Sequence, residues 1–253
     1  MRALYLLLGD PVAHSRSPAI HARAFQLLGV DAVYAPCRVT DPPAAVRALR
    51  TLGVAGANVT VPHKQAVIPA IDKLDDAAGR IGAVNCISNR DGVLHGYNTD
   101  RDGFLRALGE FAGRAVVLGA GGAARAVVDA LRPEVTIVNR TQARAEQLAR
   151  EMGVKAGGLD AVARADVVVN CTMVGMHGDE MPVDPKGIRG TVVDLAYSAR
   201  GDTPLIRAAR ARGLRTVDGI EVLVQQAIAS LEIWLGRQEL SELAPDLRKA
   251  ALA

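Results

Sequence analysis

Short apolar runs alternate with segments of helical periodicity along almost the whole chain, a pattern that predicts an α/β fold with largely parallel sheets. Leu4–Leu8 reads as a first strand. Ser17 as N-cap, Pro18 at the first helical position and a closing Gly29 then frame a helix. A strand at Ala32–Arg38, a helix near Pro43–Leu52, a strand at Gly56–Thr60 and a helix after Pro62 follow. Ala83–Asn89 and Val93–Tyr97, joined through Asp91-Gly92, read as a hairpin, which would make the first sheet mixed. Further strands are expected near Ala115–Leu118, Val135–Val138, Val167–Asn170, Thr191–Leu195 and Arg215–Val217. After Gly219, apolar residues at 220, 223, 224, 227, 228, 231, 234 and 235 form a helical stripe. A helix so apolar is predicted to return to the first domain and pack there. The expected division is therefore 1–100 plus 218–253 against 101–217.

Composition narrows the function classes. No apolar run reaches the ~18 residues of a membrane span, so no membrane partner is expected. A net charge of +3 over 253 residues, with scattered basic groups, gives no reason to expect nucleic acid. The apolar N-terminal run stops at Gly-Asp-Pro with no small-residue cleavage site, which reads as a strand and not a signal peptide. Cys37, Cys86 and Cys171 are odd in number and outside metal-ligand spacing. They predict buried free thiols in a cytoplasmic protein, with no metal site.

The most specific motif is VVLGAGGAAR at Val116–Arg125. An apolar run ending in Gly119, Ala120, Gly121, Gly122 and Ala123, with Ala124 in the third glycine's place, fits the turn of a dinucleotide-binding βαβ unit. Gly119 would allow the tight turn, and Gly121 the approach of a pyrophosphate to the helix N-terminus. At the end of the next strand an NAD site usually holds Asp or Glu for the ribose 2′-hydroxyl. Here Asn139 stands instead, followed by Arg140, Thr141 and Arg144. A guanidinium binds a 2′-phosphate that a carboxylate would repel, so NADP is the expected cofactor.

Four other segments place polar groups where strands end, the usual ligand side of α/β sheets. HSRSP offers the hydroxyls of Ser15 and Ser17, suited to a carboxylate. GANVTVPHK brings Asn58, Thr60 and Lys64 together, GAVN ends at Asn85, and GYNTD ends at Asp100. Alone, Lys64 is an ordinary surface charge and Asp100 an ordinary cap. Together they supply what alcohol oxidation needs, a group to take the hydroxyl proton and a partner to orient it.

With GDPVAHSRSP, GANVTVPHK, IGAVN, GYNTD, GAGGAARA, NRT and DGIEVLVQQA in this order, nearly the whole chain resembles the shikimate dehydrogenase family. The resemblance implies two α/β domains flanking a cleft, a mixed, largely parallel sheet in the first and a Rossmann-type NADP-binding fold in the second. It implies reversible, NADPH-dependent reduction of 3-dehydroshikimate to shikimate, on the route to chorismate and the aromatic amino acids. Lys64 resembles the family's catalytic lysine and Asp100 the aspartate that pairs with it. Ser15 and Ser17 resemble the carboxylate-binding serines, and Thr60, Asn85, Tyr197 and Gln226 further substrate contacts. On the cofactor side, Thr172, Leu195 and Gly219 match positions along the nicotinamide half, and Asp76 an acidic position linked to cofactor contact.

One departure stands near that half: Val222 occupies a place where the family often has Met. A quinate or aminoshikimate dehydrogenase is the neighbouring reading. A non-catalytic NADP- or shikimate-binding regulator is the reading from another class, which Lys64 and Asp100 argue against. Small-molecule substrate and cofactor are the expected partners, in a monomer or homodimer.

Overall fold

A computed structural model describes residues 2–198 and 201–253. Its internal contacts divide the chain into two units, Met1–Gly103 with Val224–Ala253, and Phe104–Leu223.

The first unit is built on a six-stranded sheet. β1 (Ala3–Gly9), α1 (Ser17–Leu28), β2 (Ala32–Arg38), α2 (Pro42–Thr51) and β3 (Gly56–Val59) form right after one another, β1 pairing in parallel with both β2 and β3. β4 (Lys73–Leu74) and α3 (Asp76–Ile81) precede β5 (Cys86–Arg90) and β6 (Val93–Tyr97). The β5–β6 hairpin turns through Asp91 and Gly92, at φ 52° and 85°. Positive φ at both turn residues is what Asp-Gly supplies at least strain. β5 runs antiparallel to β3, so the strand order is β2-β1-β3-β5-β6-β4 in a mixed sheet. Its core gathers Leu8, Val59, Val84, Ile87 and Leu94 with Val46 and Leu49 of α2.

α4 (Thr99–Leu108) leads into the second unit, whose six strands are all parallel. In chain order they are β7 (Ala115–Leu118), β8 (Val135–Val138), β9 (Lys155–Ala156), β10 (Val167–Asn170), β11 (Thr191–Asp194) and β12 (Thr216–Val217). In space the order is β12-β11-β10-β7-β8-β9. Strands covered on both faces must be apolar on both, which is why AVVL and VVVN carry no alternation. Val117, Ile137 and Val169 pack on one face with α5 (Gly122–Leu131) and α6 (Gln142–Met152). Val116, Val168 and Val192 pack on the other with α7 (Pro204–Ala211). The order reverses between β7 and β10, and that switch point is where such sheets bind ligands.

α8 (Gly219–Leu235) begins in the second unit and its residues from Val224 onward belong to the first, followed there by α9 (Ala244–Leu252). Two close approaches seat it. Trp234 Nε1 donates to the Ile87 carbonyl at 2.9 Å over Gly56, where a Cβ would lie 2.5 Å from that nitrogen. Gly103 lets the Gln226 backbone come in, since a Cβ there would meet Gln226 N at 2.5 Å. No described helix is long and apolar enough to cross a membrane.

Three expectations change. No α-helix forms directly after Pro62: the chain makes hydrogen-bonded turns and a short 3-10 segment at Ile68–Ala70. Pro69 has no amide to give such a helix and disfavours helical backbone at Ile68. Ser17 is the first helical residue and not the cap, and its amide is satisfied by Ser15 Oγ at 3.2 Å. Cys86 alone of the cysteines is buried, while Cys37 and Cys171 are partly exposed. Cys37 lies on β2 at the sheet edge and Cys171 just past the end of β10. Burial pushes the Cys86 thiol up to about 12.

Candidate active site

The substrate-type residues collect in the first unit, at the carboxyl ends of β1 and β3 and around them. β3 delivers Asn58, and the turn after it delivers Thr60 and Lys64. The Thr60 amide donates to the Leu8 carbonyl at 2.8 Å, which holds this turn against the end of β1. Gly9 makes room for the Thr60 side chain, because a Cβ there would meet Thr60 Cγ2 at 2.4 Å. Below Lys64, the buried His63 places Nε2 2.7 Å from the Val39 carbonyl. The Lys64 carbonyl accepts the Val84 amide at 2.8 Å, fixing the lysine next to the segment that carries Asn85.

α4 supplies the other half. Asp100 sits in its first turn, and Lys64 Nζ donates to Asp100 Oδ2 at 2.5 Å. Asn85 Nδ2 donates to Asp100 Oδ1 at 2.8 Å, so both carboxylate oxygens are held. The Lys64 and Asp100 side chains are 13% and 19% exposed, low enough to strengthen the pairing over that of a surface ion pair, yet open to a ligand. Ser15 and Ser17 lie in the β1–α1 connection, joined by the bond from the Ser17 amide to Ser15 Oγ. Gln226 is nearly buried on α8, against Gly103 of α4. Chemically, the cluster presents a cation, an anion, an amide and hydroxyls in one unit, which suits a polyhydroxylated acid.

The nucleotide-type residues collect in the second unit at the switch point. Gly119 has φ 112°, and a Cβ there would stand 3.1 Å from Thr172 Cγ2. Only glycine takes this turn without strain. Gly121 caps α5 with no side-chain hydrogen bond, and nothing lies within 4 Å of where its Cβ would be. Open space lies in front of the uncapped helix amides, with Ala120, Gly122 and Ala123 around it, an arrangement that could hold an anion. Ala124, fully buried, lets α5 pack closely on the sheet. At the end of β8, Asn139 Nδ2 donates to the Thr141 carbonyl at 2.9 Å and shapes the loop that exposes Arg140 and Thr141, with Arg144 exposed in the first turn of α6. Neither arginine has an ion-pair partner among the described residues, and the geometry fits a phosphate on the adenosine ribose.

Thr172 donates its hydroxyl to Asn170 Oδ1 at 2.7 Å, and the Leu195 amide donates to the Asn170 carbonyl at 2.9 Å. Gly219 packs directly on that loop, where a Cβ would lie 2.4 Å from the Ala196 carbonyl oxygen. Tyr197 follows, half-buried, and Val222 is in the core of the second unit. Asp76 belongs to the first unit, exposed on α3 beside the capping Asp75, while the other cofactor candidates belong to the second.

Sequence reasoning missed a group of buried polar residues behind these sites. In the first unit they are Thr99 and Ser230, both within hydrogen-bond reach of the Asn85–Asn58 cluster. In the second, Asp194 accepts from Asn170 Nδ2 at 2.8 Å and from the Thr203 hydroxyl at 2.6 Å. Burial pushes the Asp194 carboxyl up to about 6 against the pull of these donors. One signal was available. Ser230 is four residues from Gln226, so the two polar side chains share a face of a largely apolar helix.

Comparison with known proteins identifies the family. Residues 7–87 match the shikimate dehydrogenase substrate binding domain, and residues 106–177 match the shikimate / quinate 5-dehydrogenase family. The NADP(+)-type shikimate dehydrogenase of Moorella thermoacetica is 44% identical over 265 residues, 93% of this chain and 88% of its own. That of Symbiobacterium thermophilum is 43% identical, with 98% and 92% covered. The crystal structure of shikimate 5-dehydrogenase from Thermus thermophilus, in complex with NADP(H) and shikimate, superimposes with a TM-score of 0.91 at 37% identity, covering 99% of this chain and 100% of that one. The chain belongs to the shikimate dehydrogenase family.

Proposed function

We propose that this protein is an NADP-dependent shikimate dehydrogenase, interconverting 3-dehydroshikimate and shikimate. The observation that carries the reading is the Lys64–Asp100 ion pair with Asn85 on the second carboxylate oxygen. When bound, NADP supplies the two-electron donor or acceptor.

In the reducing direction the substrate carbonyl oxygen gains negative charge. Lys64 has three N–H donors and spends one on Asp100, leaving two for that oxygen and a proton to give it. In the oxidising direction the same lysine starts as the neutral amine left by that transfer, receives the hydroxyl proton and becomes the ammonium again. Asp100 keeps the ammonium aimed and accepts from a neighbouring ring hydroxyl. Ser15 and Ser17 take the substrate carboxylate at the start of α1, where the helix dipole favours an anion. Thr60, Asn85 and Gln226 bind or orient the ring hydroxyls, and Tyr197 serves the carboxylate end.

For the cofactor, Gly119 to Ala123 hold the pyrophosphate and Asn139 to Arg144 the phosphorylated adenosine ribose. Thr172, Leu195 and Gly219 line the nicotinamide half, and Asp76 is a further cofactor contact. The domain division read from the sequence, 1–100 with 218–253 against 101–217, assigns substrate to the first and NADP to the second.

The test compares turnover of shikimate and quinate with NADP and with NAD, followed by the absorbance of the reduced cofactor. The expected result is that shikimate with NADP gives the highest kcat/KM. Preference for quinate, or no turnover of either, overturns the assignment.

A further inference from the structure

Behind Lys64 and Asp100 the polar side chains of the first unit continue inward and end on α8. Asn85 Nδ2, already bonded to Asp100 Oδ1, also donates to Thr99 Oγ1 at 3.0 Å, and Asn85 Oδ1 accepts the Thr99 amide at 2.7 Å. Thr99 Oγ1 lies 3.1 Å from Ser230 Oγ. Ser230 Oγ accepts from Asn58 Nδ2 at 3.0 Å and donates to the Gln226 carbonyl at 3.0 Å. Asn58 gives its other amide hydrogen to the Asn85 carbonyl at 3.1 Å, and its Oδ1 accepts from the Tyr34 hydroxyl at 2.9 Å. Ser230 is wholly buried, and Thr99, Asn85 and Asn58 are 1%, 3% and 5% exposed.

The proton count makes Ser230 decisive. A serine hydroxyl has one proton and two acceptor sites. Its proton is spent on the Gln226 carbonyl, so Thr99 must donate to Ser230. Thr99 Oγ1 is then left as an acceptor, and the group that donates to it is Asn85 Nδ2. The Thr99 amide on Asn85 Oδ1 and the acceptor-only carboxylate of Asp100 turn the NH2 edge of Asn85 toward Asp100, and the Thr99–Ser230 bond keeps Thr99 Oγ1 an acceptor on that same edge. Asp100 Oδ1 is thereby occupied and Oδ2 is presented to Lys64. Asn85 Oδ1 is already a second acceptor for the Thr99 hydroxyl at 3.2 Å, and without the Ser230 hydroxyl the Thr99 proton would go to that oxygen alone, in competition with the Thr99 amide. Asn58 Nδ2 would also lose its acceptor in a site closed to water.

We propose that Ser230 is a positioning residue for the reaction: through Thr99 and Asn58 it sets the donor direction of the hydrogen bonds that aim Asn85 and Asp100 at Lys64. The proposal rests on the reading of Lys64 and Asp100 given above. It predicts a defect in turnover from a residue that touches neither substrate nor cofactor, because misplacing an attacking group by a fraction of an ångström is costly in rate.

The test uses the full-length enzyme with Ser230→Ala and Ser230→Cys, the second nearly isosteric but a poor hydrogen-bonding group. Both are expected to lower kcat for shikimate about tenfold while leaving the KM for NADP within about twofold. Combined with Thr99→Val, Ser230→Ala should add almost nothing to the kcat loss of Thr99→Val alone, since the two act in one chain. Parental kcat in the cysteine variant, or full multiplicativity in the double variant, overturns the proposal. If the alanine variant does not fold, the cysteine variant carries the same measurements. A readout without substrate separates this inference from the assignment of shikimate: hydrogen exchange of the Asn85 and Asn58 side-chain amides, followed by NMR. Exchange about tenfold faster in either Ser230 variant supports the positioning role even if the parent proves inactive on shikimate, and unchanged exchange ends it.

Discussion

Lys64 Nζ and Asp100 Oδ2 meet at 2.5 Å across 36 residues of sequence, and the second oxygen of that carboxylate belongs to Asn85. The lysine is thus held with one donor used and two free for a ligand. Replacing Lys64 with Ala is expected to lower kcat for shikimate about 10²- to 10⁴-fold, the usual worth of a positioned acid or base. NADP affinity, measured by titration calorimetry, should change less than about twofold. Turnover near that of the parent would remove Lys64 from the chemistry.

The loop after β8 and the first turn of α6 expose two guanidinium groups, Arg140 and Arg144, and residues 139–144 carry no carboxylate. Each charge-assisted bond to a phosphate contributes about 1.5–3 kcal/mol. Arg140→Ala or Arg144→Ala alone should therefore raise the KM for NADP about 10- to 100-fold and leave that for NAD nearly unchanged. Equal losses with both cofactors would mean that the loop binds the adenosine and not its 2′-phosphate.

At Gly103 two effects of opposite sign compete. Alanine would favour the helix by about 1 kcal/mol. Its Cβ, however, would stand 2.5 Å from the backbone nitrogen of Gln226, and backbone must move to admit it. Overpacking of this kind costs about 1–3 kcal/mol. The expected net result is a lower Tm, with a raised KM for shikimate as Gln226 shifts. A rise in Tm with unchanged KM would show that α8 yields freely.

His21 is fully buried and stacks on Tyr34 at 4.2 Å, and among the described residues neither ring nitrogen has a hydrogen-bond partner. Burial pushes it down to about 3, with the Asn58 side chain pulling the other way. A histidine whose folded value lies below its unfolded one gives full stability above about pH 6.5, and that stability is lost as pH falls through the unfolded value. From pH 6.5 to about 4.5 the loss is about 3 kcal/mol at 1.36 kcal/mol per unit. Denaturant titrations of the parent and His21→Leu should therefore show the variant gaining on the parent by about that amount over this range. A constant difference across the range would mean that His21 is protonated in the fold.

What the sequence made legible was whatever local pattern or a compact motif encodes. Asp91-Gly92 announced its hairpin because two adjacent residues at positive φ favour that pair. The apolar strands of the second unit stood out because burial on both faces leaves them no polar position. Gly119 and Gly121 with Arg140 marked a nucleotide turn at a spacing set by one strand and one helix. The helix expected after Pro62 failed on a single later residue, Pro69, and Ser17 was misplaced by one position. Ser230 and Thr99 were not legible because they are 131 residues apart, and neither proclaims a partner. Asp194, Asn170 and Thr203 were hidden in the same way, each an ordinary polar residue at the end of a strand or start of a helix.

The passage of α8 from the second unit into the first has a consequence for synthesis on the ribosome. Gln226 and Ser230 are translated after every strand of both sheets. A nascent chain can complete its nucleotide turn while Asn58 and Thr99 still lack their buried acceptor. The buried polar cluster behind Lys64 and Asp100 is therefore completed only when α8, translated after both sheets, packs on the first unit.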